Sequence, residues 1–250
     1  MRWRTHIAIA RAISRSLDLP KDLEKALFEG SIEPDKYPDK VLRFGRRGRM
    51  YTAYVPHHEP DLGVVMKHIW SARISYLCGD NVQAMRSLGR ALHYIQDKSV
   101  SKGFLSLSHN GREEDISLQT IPENVIKEGI SIAVCSPHYV KKVVRDIKPR
   151  KNLDEVMYQA CIYSAAIAKA VVGGRKPSNE LLNNFKSAKE RYYRRTIPTA
   201  IGVFGVFLIT SILTQNPLYT IFGVLAYYIT QRLDLKYYSL KEEAKWFGVK

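Results

Sequence analysis

An all-α protein ending in a membrane hairpin is what this sequence predicts, and three observations predict it. Apolar residues recur at helical three- and four-residue intervals through most of the first 175 positions. No run of alternating residues reads as a sheet strand. Thirty-four consecutive positions, 197–230, carry no charge.

Taken in order, Trp3, His6, Ala10, Ile13 and Leu17 share one face of a first helix that stops at Pro20. A second helix runs from Lys21 to Glu29, with Gly30 as its C-terminal stop. The stretch from Gly30 to Pro60, rich in Pro, Gly and Arg, reads as a loop. Helices follow at about 62–78 and 81–98, then at about 122–135, 137–147 and 153–172. Asp80 or Asn81 caps the helix over 81–98, whose Ala84, Leu88, Ala91, Leu92 and Ile95 mark a buried stripe. Gly173 and Gly174 close the last of this series, and Ser178 caps a polar helix that leads into the apolar stretch.

That stretch is interrupted by Thr214-Gln215-Asn216-Pro217. Its length exceeds the roughly 20 residues one helix needs to cross a bilayer, while each half, 197–213 and 217–230, falls short of it. A tight membrane hairpin fits better than a single span. Arg194 and Arg195 precede it, Arg232 and Lys236 follow, and the turn is uncharged. By the positive-inside rule both ends then lie in the cytoplasm, with Tyr192, Tyr193, Tyr227 and Tyr228 as interfacial anchors. The opening Met1-Arg-Trp-Arg-Thr-His lacks the apolar core of a signal peptide. The expected organisation is a helical domain over 1–175, a basic juxtamembrane helix over 176–196, the hairpin over 197–230 and a cytoplasmic tail over 231–250.

With 45% hydrophobic residues the chain can bury a substantial core and is not a disordered tail. Cys78, Cys135 and Cys161 are an odd number without metal-ligand spacing, so a reducing compartment fits best. A formal charge of +15 draws the chain to anionic partners, either lipid headgroups or nucleic acid. Arg43, Arg46, Arg47 and Arg49 cluster in the glycine-punctuated loop as candidate phosphate or headgroup contacts. A second cluster lies between Lys141 and Lys151, and a third runs from Lys186 to Arg195.

The chemistry is concentrated in two histidine–carboxylate pairs, each four residues apart: His93 with Asp97 in ALHYIQD, and His109 with Glu113 in HNGRE. Positions i and i+4 stack on one helix face, so each pair can offer an imidazole nitrogen and a carboxylate oxygen to one metal ion, a donor set suited to zinc. The competing reading of the first pair is a core histidine bonded to an aspartate one turn on. That of the second is a solvated loop, since Gly111 interrupts it. Other candidate ligands come in order along the chain: His6 in WRTH, Asp35 in GSIEPDKYPD, and the neighbours His57 and His58 before Glu-Pro-Asp.

This ordered set resembles the zinc-dependent phospholipase C family, whose superfamily includes the single-strand-specific zinc nucleases. The likeness covers about residues 3–114, with ALHYIQD its most specific element. It implies a helical domain holding two or three zinc ions and a zinc-activated water that hydrolyses a phospholipid headgroup phosphodiester. Carried over by motif, His57, His93 and Asp97 hold one zinc, with Asp35 as a further ligand or proton acceptor. His6, with Trp3 as a possible partner, joins a bridging Asp97 around a second, and His109 and Glu113 serve a third. His58 competes with His57.

Two departures stand out. The family uses the free amine and carbonyl of an N-terminal tryptophan, whereas Trp3 follows Met1 and Arg2. The family also places a histidine where this chain has Gly103. His68 and His138 match nothing in the pattern and are expected to be structural or surface residues. The leading expectation is a membrane-anchored phosphodiesterase acting on phospholipid. The alternatives are a zinc nuclease, with nucleic acid the less favoured partner, and a non-catalytic membrane protein with a degenerate metal site.

Overall fold

The computed structural model describes residues 1–46, 48–56, 58–101 and 120–249, and is mostly helical. Its chain divides into two units, Met1–Gly174 and Arg175–Lys250.

The first unit opens with α1 (Trp3–Ser16) and α2 (Lys21–Lys36), followed by a two-stranded ribbon of β1 (Lys40–Phe44) and β2 (Met50–Tyr54). Then come α3 (Leu62–Cys78), α4 (Asn81–Lys98), α5 (Glu123–Ser131), α6 (Pro137–Asp146) and α7 (Leu153–Val171). Asp80 caps α4 by accepting a hydrogen bond from the Gln83 amide at 3.1 Å. The expected stripe of α4, from Ala84 to Ile95, is fully buried and makes this helix the axis of the unit. Leu27 of α2 and Leu88 and Leu92 of α4 are wholly covered, each contributing about 1.5–3 kcal/mol of burial.

Two expectations are corrected here. The second helix does not end at Gly30 but runs on to Lys36, through Pro34. Gly30 is a contact between helices: a Cβ there would stand 2.1 Å from the carbonyl oxygen of Arg86, and one at Gly89 would stand 2.4 Å from that of Leu27. The two glycines let α2 and α4 touch backbone to backbone. The stretch from Gly30 to Pro60 is also no simple loop, because β1 and β2 pair antiparallel within it, from Lys40 opposite Tyr54 to Phe44 opposite Met50. Charged and aromatic residues on both faces obscure the alternation that marks a half-buried strand.

Arg73 of α3, completely buried, closes the far end of the unit. It donates to the carbonyls of Val171 (2.7 Å), Gly173 (3.1 Å) and Gly174 (2.6 Å), satisfying orphan acceptors where α7 ends.

In the second unit, α8 (Asn179–Arg191), a π-helical stretch (Tyr192–Thr196) and α9 (Ile197–Thr214) form one helix of 36 residues. Ser178 caps its start. The π-helical stretch sits just before Pro198, whose missing N–H and bulky ring disturb the regular ladder there. Gln215 in a left-handed conformation ends α9, and α10 (Leu218–Arg232) returns beside it, with α11 (Leu235–Trp246) packed on α8. Tyr192 stacks on Tyr237 with ring centroids 4.1 Å apart, and Asp234 joins Arg191 at 2.8 Å. The helix Asn179–Thr214 is long and apolar enough to cross a membrane.

Candidate metal centre

Three helices of the first unit bring the candidate ligands together. His6 projects from the buried face of α1, Asp35 from the last turn of α2, and His93 and Asp97 from successive turns of α4. His6, Asp35 and His93 each offer a ligand atom, all within 4.8 Å of one another, a group able to hold a metal ion. Asp97 stands between the imidazoles, with Oδ1 3.3 Å from His6 Nε2 and Oδ2 3.3 Å from His93 Nε2. Asp35 Oδ1 lies 3.6 Å from the same His93 nitrogen. Two ligands around a tetrahedral ion at about 2.1 Å stand roughly 3.4 Å apart, so these spacings suit a metal centre.

The outer contacts fix which nitrogen faces inward. His93 Nδ1 donates to the carbonyl of Ser31 at 2.9 Å, since a carbonyl only accepts. His6 Nδ1 meets Gln96 Oε1 at 2.6 Å, and that amide is oriented by its Nε2 donating to Ser164 Oγ at 3.3 Å. Both rings therefore carry their proton on Nδ1 and turn a lone pair on Nε2 toward the carboxylates, the arrangement metal-ligating histidines require. His6 Nε2 is fully buried yet has no hydrogen-bond partner among the described residues. An orphaned acceptor of this kind costs about 1–3 kcal/mol, a cost that a bound cation removes.

The α-amino group of Met1, also buried, reaches Asp97 Oδ1. Trp3, for which the resemblance implied main-chain rather than side-chain ligation, has a half-exposed indole with Lys36 over its ring at 5.0 Å. His58 Nδ1 donates to the main-chain carbonyl of Asp97 at 2.9 Å, which puts this ring beside the cluster. His57, His109, Glu113 and Gly103 lie outside the described residues, as does Arg47. Arg43 pairs with Asp61 at 3.4 Å, and Arg46 and Arg49 are exposed at the ribbon's tip.

A second polar network braces α2 and α4 together with α3. Asp39 Oδ2 accepts from His68 Nε2 (2.9 Å), Arg90 (3.0 Å) and the Tyr94 hydroxyl (2.9 Å), while Arg90 and Arg86 hold Glu33 at 3.2 and 2.7 Å. Burial works to raise the Asp39 pKa, but the hydrogen bonds and charges of His68 and Arg90, with the Tyr94 hydroxyl, outweigh it and hold the carboxyl well below its usual range. Burial and then the bond to Asp39 push the Tyr94 hydroxyl up. His68 thus serves this brace. Cys161, its thiol pushed up to about 12 by burial, is one of three free cysteines.

The sequence did not reveal Ser31, Gln96 and Ser164 as the outer contacts, nor the Met1 amine. The one available signal was that Gln96 lies one turn after His93 inside ALHYIQD, where a polar residue beside the buried stripe needs a partner.

The fold and site define a helical protein whose first unit carries two buried histidines and a solvent-open aspartate in a group able to hold a metal ion. No protein family model, curated protein or solved structure matches the chain.

Proposed function

We propose that the protein is a membrane-anchored, zinc-dependent phosphodiester hydrolase of phospholipase C type, acting on phospholipid headgroups. The observation that carries this reading is the inward pair of Nε2 lone pairs, fixed by Ser31 and Gln96 and facing two carboxylates. Neutral imidazoles with carboxylates are a zinc donor set. His6, His93, Asp35 and Asp97 would hold the metal, which when bound supplies Lewis acidity toward phosphoryl oxygen and lowers the pKa of water.

The chain's own residues supply the rest. Asp97, facing both rings, would offset charge between neighbouring cations. Asp35, the one member of the group open to solvent, can accept a proton at its carboxylate. The apolar pair α9 and α10 would insert as a hairpin with both termini in the cytoplasm, confining the hydrolase to the layer that holds its substrate.

A second reading, a zinc nuclease, draws support from Phe44 and Tyr54, exposed aromatics that suit base stacking on one face of a ribbon carrying arginines at its tip. Purified full-length protein loaded with zinc separates the two. Release of phosphorylated headgroup from vesicles, with zinc bound and both lost in His93→Ala, supports the lipid reading. Nucleotide release from single-stranded DNA without headgroup release transfers the assignment to a nuclease, and absence of bound zinc ends both.

A further inference from the structure

We infer that the ribbon of β1 and β2 is a membrane-docking element, which seats its outer face and arginine tip on an anionic lipid surface. It deepens the phospholipase reading and rests on it only for the link to turnover.

The pairing register sorts the side chains by face. Lys40, Leu42 and Phe44 of β1 lie opposite Tyr54, Thr52 and Met50 of β2, and side chains of directly opposed residues share a face. All six are exposed, and the four large apolar ones, Leu42, Phe44, Met50 and Tyr54, are between 63% and 76% exposed. On the other face Val41, Arg43 and Ala53 are half-buried while Tyr51 is exposed, and Arg43 is tied to Asp61, the residue before α3. The unit therefore holds the ribbon by one face and leaves a contiguous apolar face outward. Such a patch on a small ribbon is not incidental surface.

Charge chooses the occupant. Arg46 and Arg49 are exposed near the tip, and Lys40 lies over the Tyr54 ring at 5.2 Å at the base. Leu42, Phe44 and Met50 run from mid-ribbon to the tip, Tyr54 lies at the base and cations stand at both ends, a combination suited to an acyl region, an interface and anionic headgroups. A single nucleic-acid strand would use the aromatics and arginines but gain nothing from Leu42 and Met50. A partner of the required chemistry is also at hand, since the same chain carries a helix able to cross a bilayer. The ribbon arises from the segment that follows Asp35 and returns to His58 beside Asp97, so docking there would bring lipid headgroups toward the metal centre.

The test uses the full chain in lipid nanodiscs. Phe44→Cys, in a background with Cys78→Ser and Cys135→Ser, is labelled with an environment-sensitive fluorophore. In nanodiscs containing phosphatidylglycerol we expect a blue-shifted emission quenched by shallow spin-labelled lipid. The shift should weaken in neutral phosphatidylcholine discs and in high salt. A label that stays water-exposed in both discs overturns the inference. So does one shielded only on adding single-stranded oligonucleotide, or one that cross-links to a second copy. The paired variant Leu42→Ser, Phe44→Ser alters only exposed positions, and should lower headgroup release from vesicles about tenfold while sparing a water-soluble phosphodiester. Equal loss on both substrates argues against docking. A buried label in a protein without hydrolysis would sink the phospholipase reading and leave the docking surface standing.

Discussion

The imidazoles of His6 and His93 stack with ring centroids 4.3 Å apart and 28° between their planes, although they come from different helices. Two imidazolium ions would repel each other across this distance, so the stack requires at least one neutral ring. Neutrality is also what metal ligation demands, so the outer contacts that hold both protons on Nδ1 serve packing and ligation together.

From this it follows that Gln96 positions His6 without itself touching a metal. Gln96→Leu removes the acceptor for His6 Nδ1 and releases the ring's orientation, with an expected loss of about 10–100-fold in zinc affinity. Gln96→Glu keeps the acceptor and should recover most of it. Chelator-competition titration reads both, and equal affinity in Gln96→Leu and the parent would show that the contact does not set the ligand's geometry.

Gly89→Ala places a methyl group 2.4 Å from the Leu27 carbonyl oxygen, where backbone rather than a pliable side chain must yield. Overpacking of this kind costs about 1–3 kcal/mol. Because α2 carries Ser31 and Asp35 opposite His93, the same substitution should weaken zinc binding. The denaturation midpoint and bound zinc are expected to fall together, and an unchanged midpoint would refute the close approach.

These two cases show where the sequence was legible. His93 and Asp97 could be read as a pair because helical spacing alone places them on one face, and the α4 stripe because its period is local. Gly30 misled because a glycine stop and a glycine packing contact look alike until the facing Gly89 is known. The ribbon stayed hidden because its apolar Leu42, Phe44 and Met50 are exposed and β2 is exposed at Tyr51 as well, so apolar and buried positions do not coincide along it. Asp35 was legible as a candidate but not as a helical residue, since Pro34 before it normally argues for a turn.

The Asp39 brace gives the fold an acid sensitivity of definite sign. Its carboxyl is held below its ordinary range when folded, so the unfolded chain binds the proton more readily. The stabilisation is fully present above the unfolded pKa of about 3.9, and is lost as pH falls through the lower folded value. Asp39→Asn should cost about 1–3 kcal/mol at neutral pH by leaving Arg90 and His68 underpaired, and should flatten the stability profile below about pH 4. Denaturant melts from pH 2 to 7 would show it. An undiminished acid dependence in the variant would assign that dependence to other carboxylates.

The pairing of α9 with α10 leaves Ile201, Val206, Ile209, Ile212, Ile221, Phe222 and Leu225 more than half exposed, a surface too apolar to stand in water uncovered. If lipid covers it, a charge near the middle of α9 must be carried into the bilayer. Ile209→Arg then costs about 2.5–3.5 kcal/mol of insertion, enough to move much of the protein from the carbonate-resistant pellet to the soluble or aggregated fraction. Leu235→Arg adds the same charge beyond the apolar stretch and should leave the pellet fraction unchanged. Equal extraction of both variants and the parent would mean that protein, not lipid, covers these side chains.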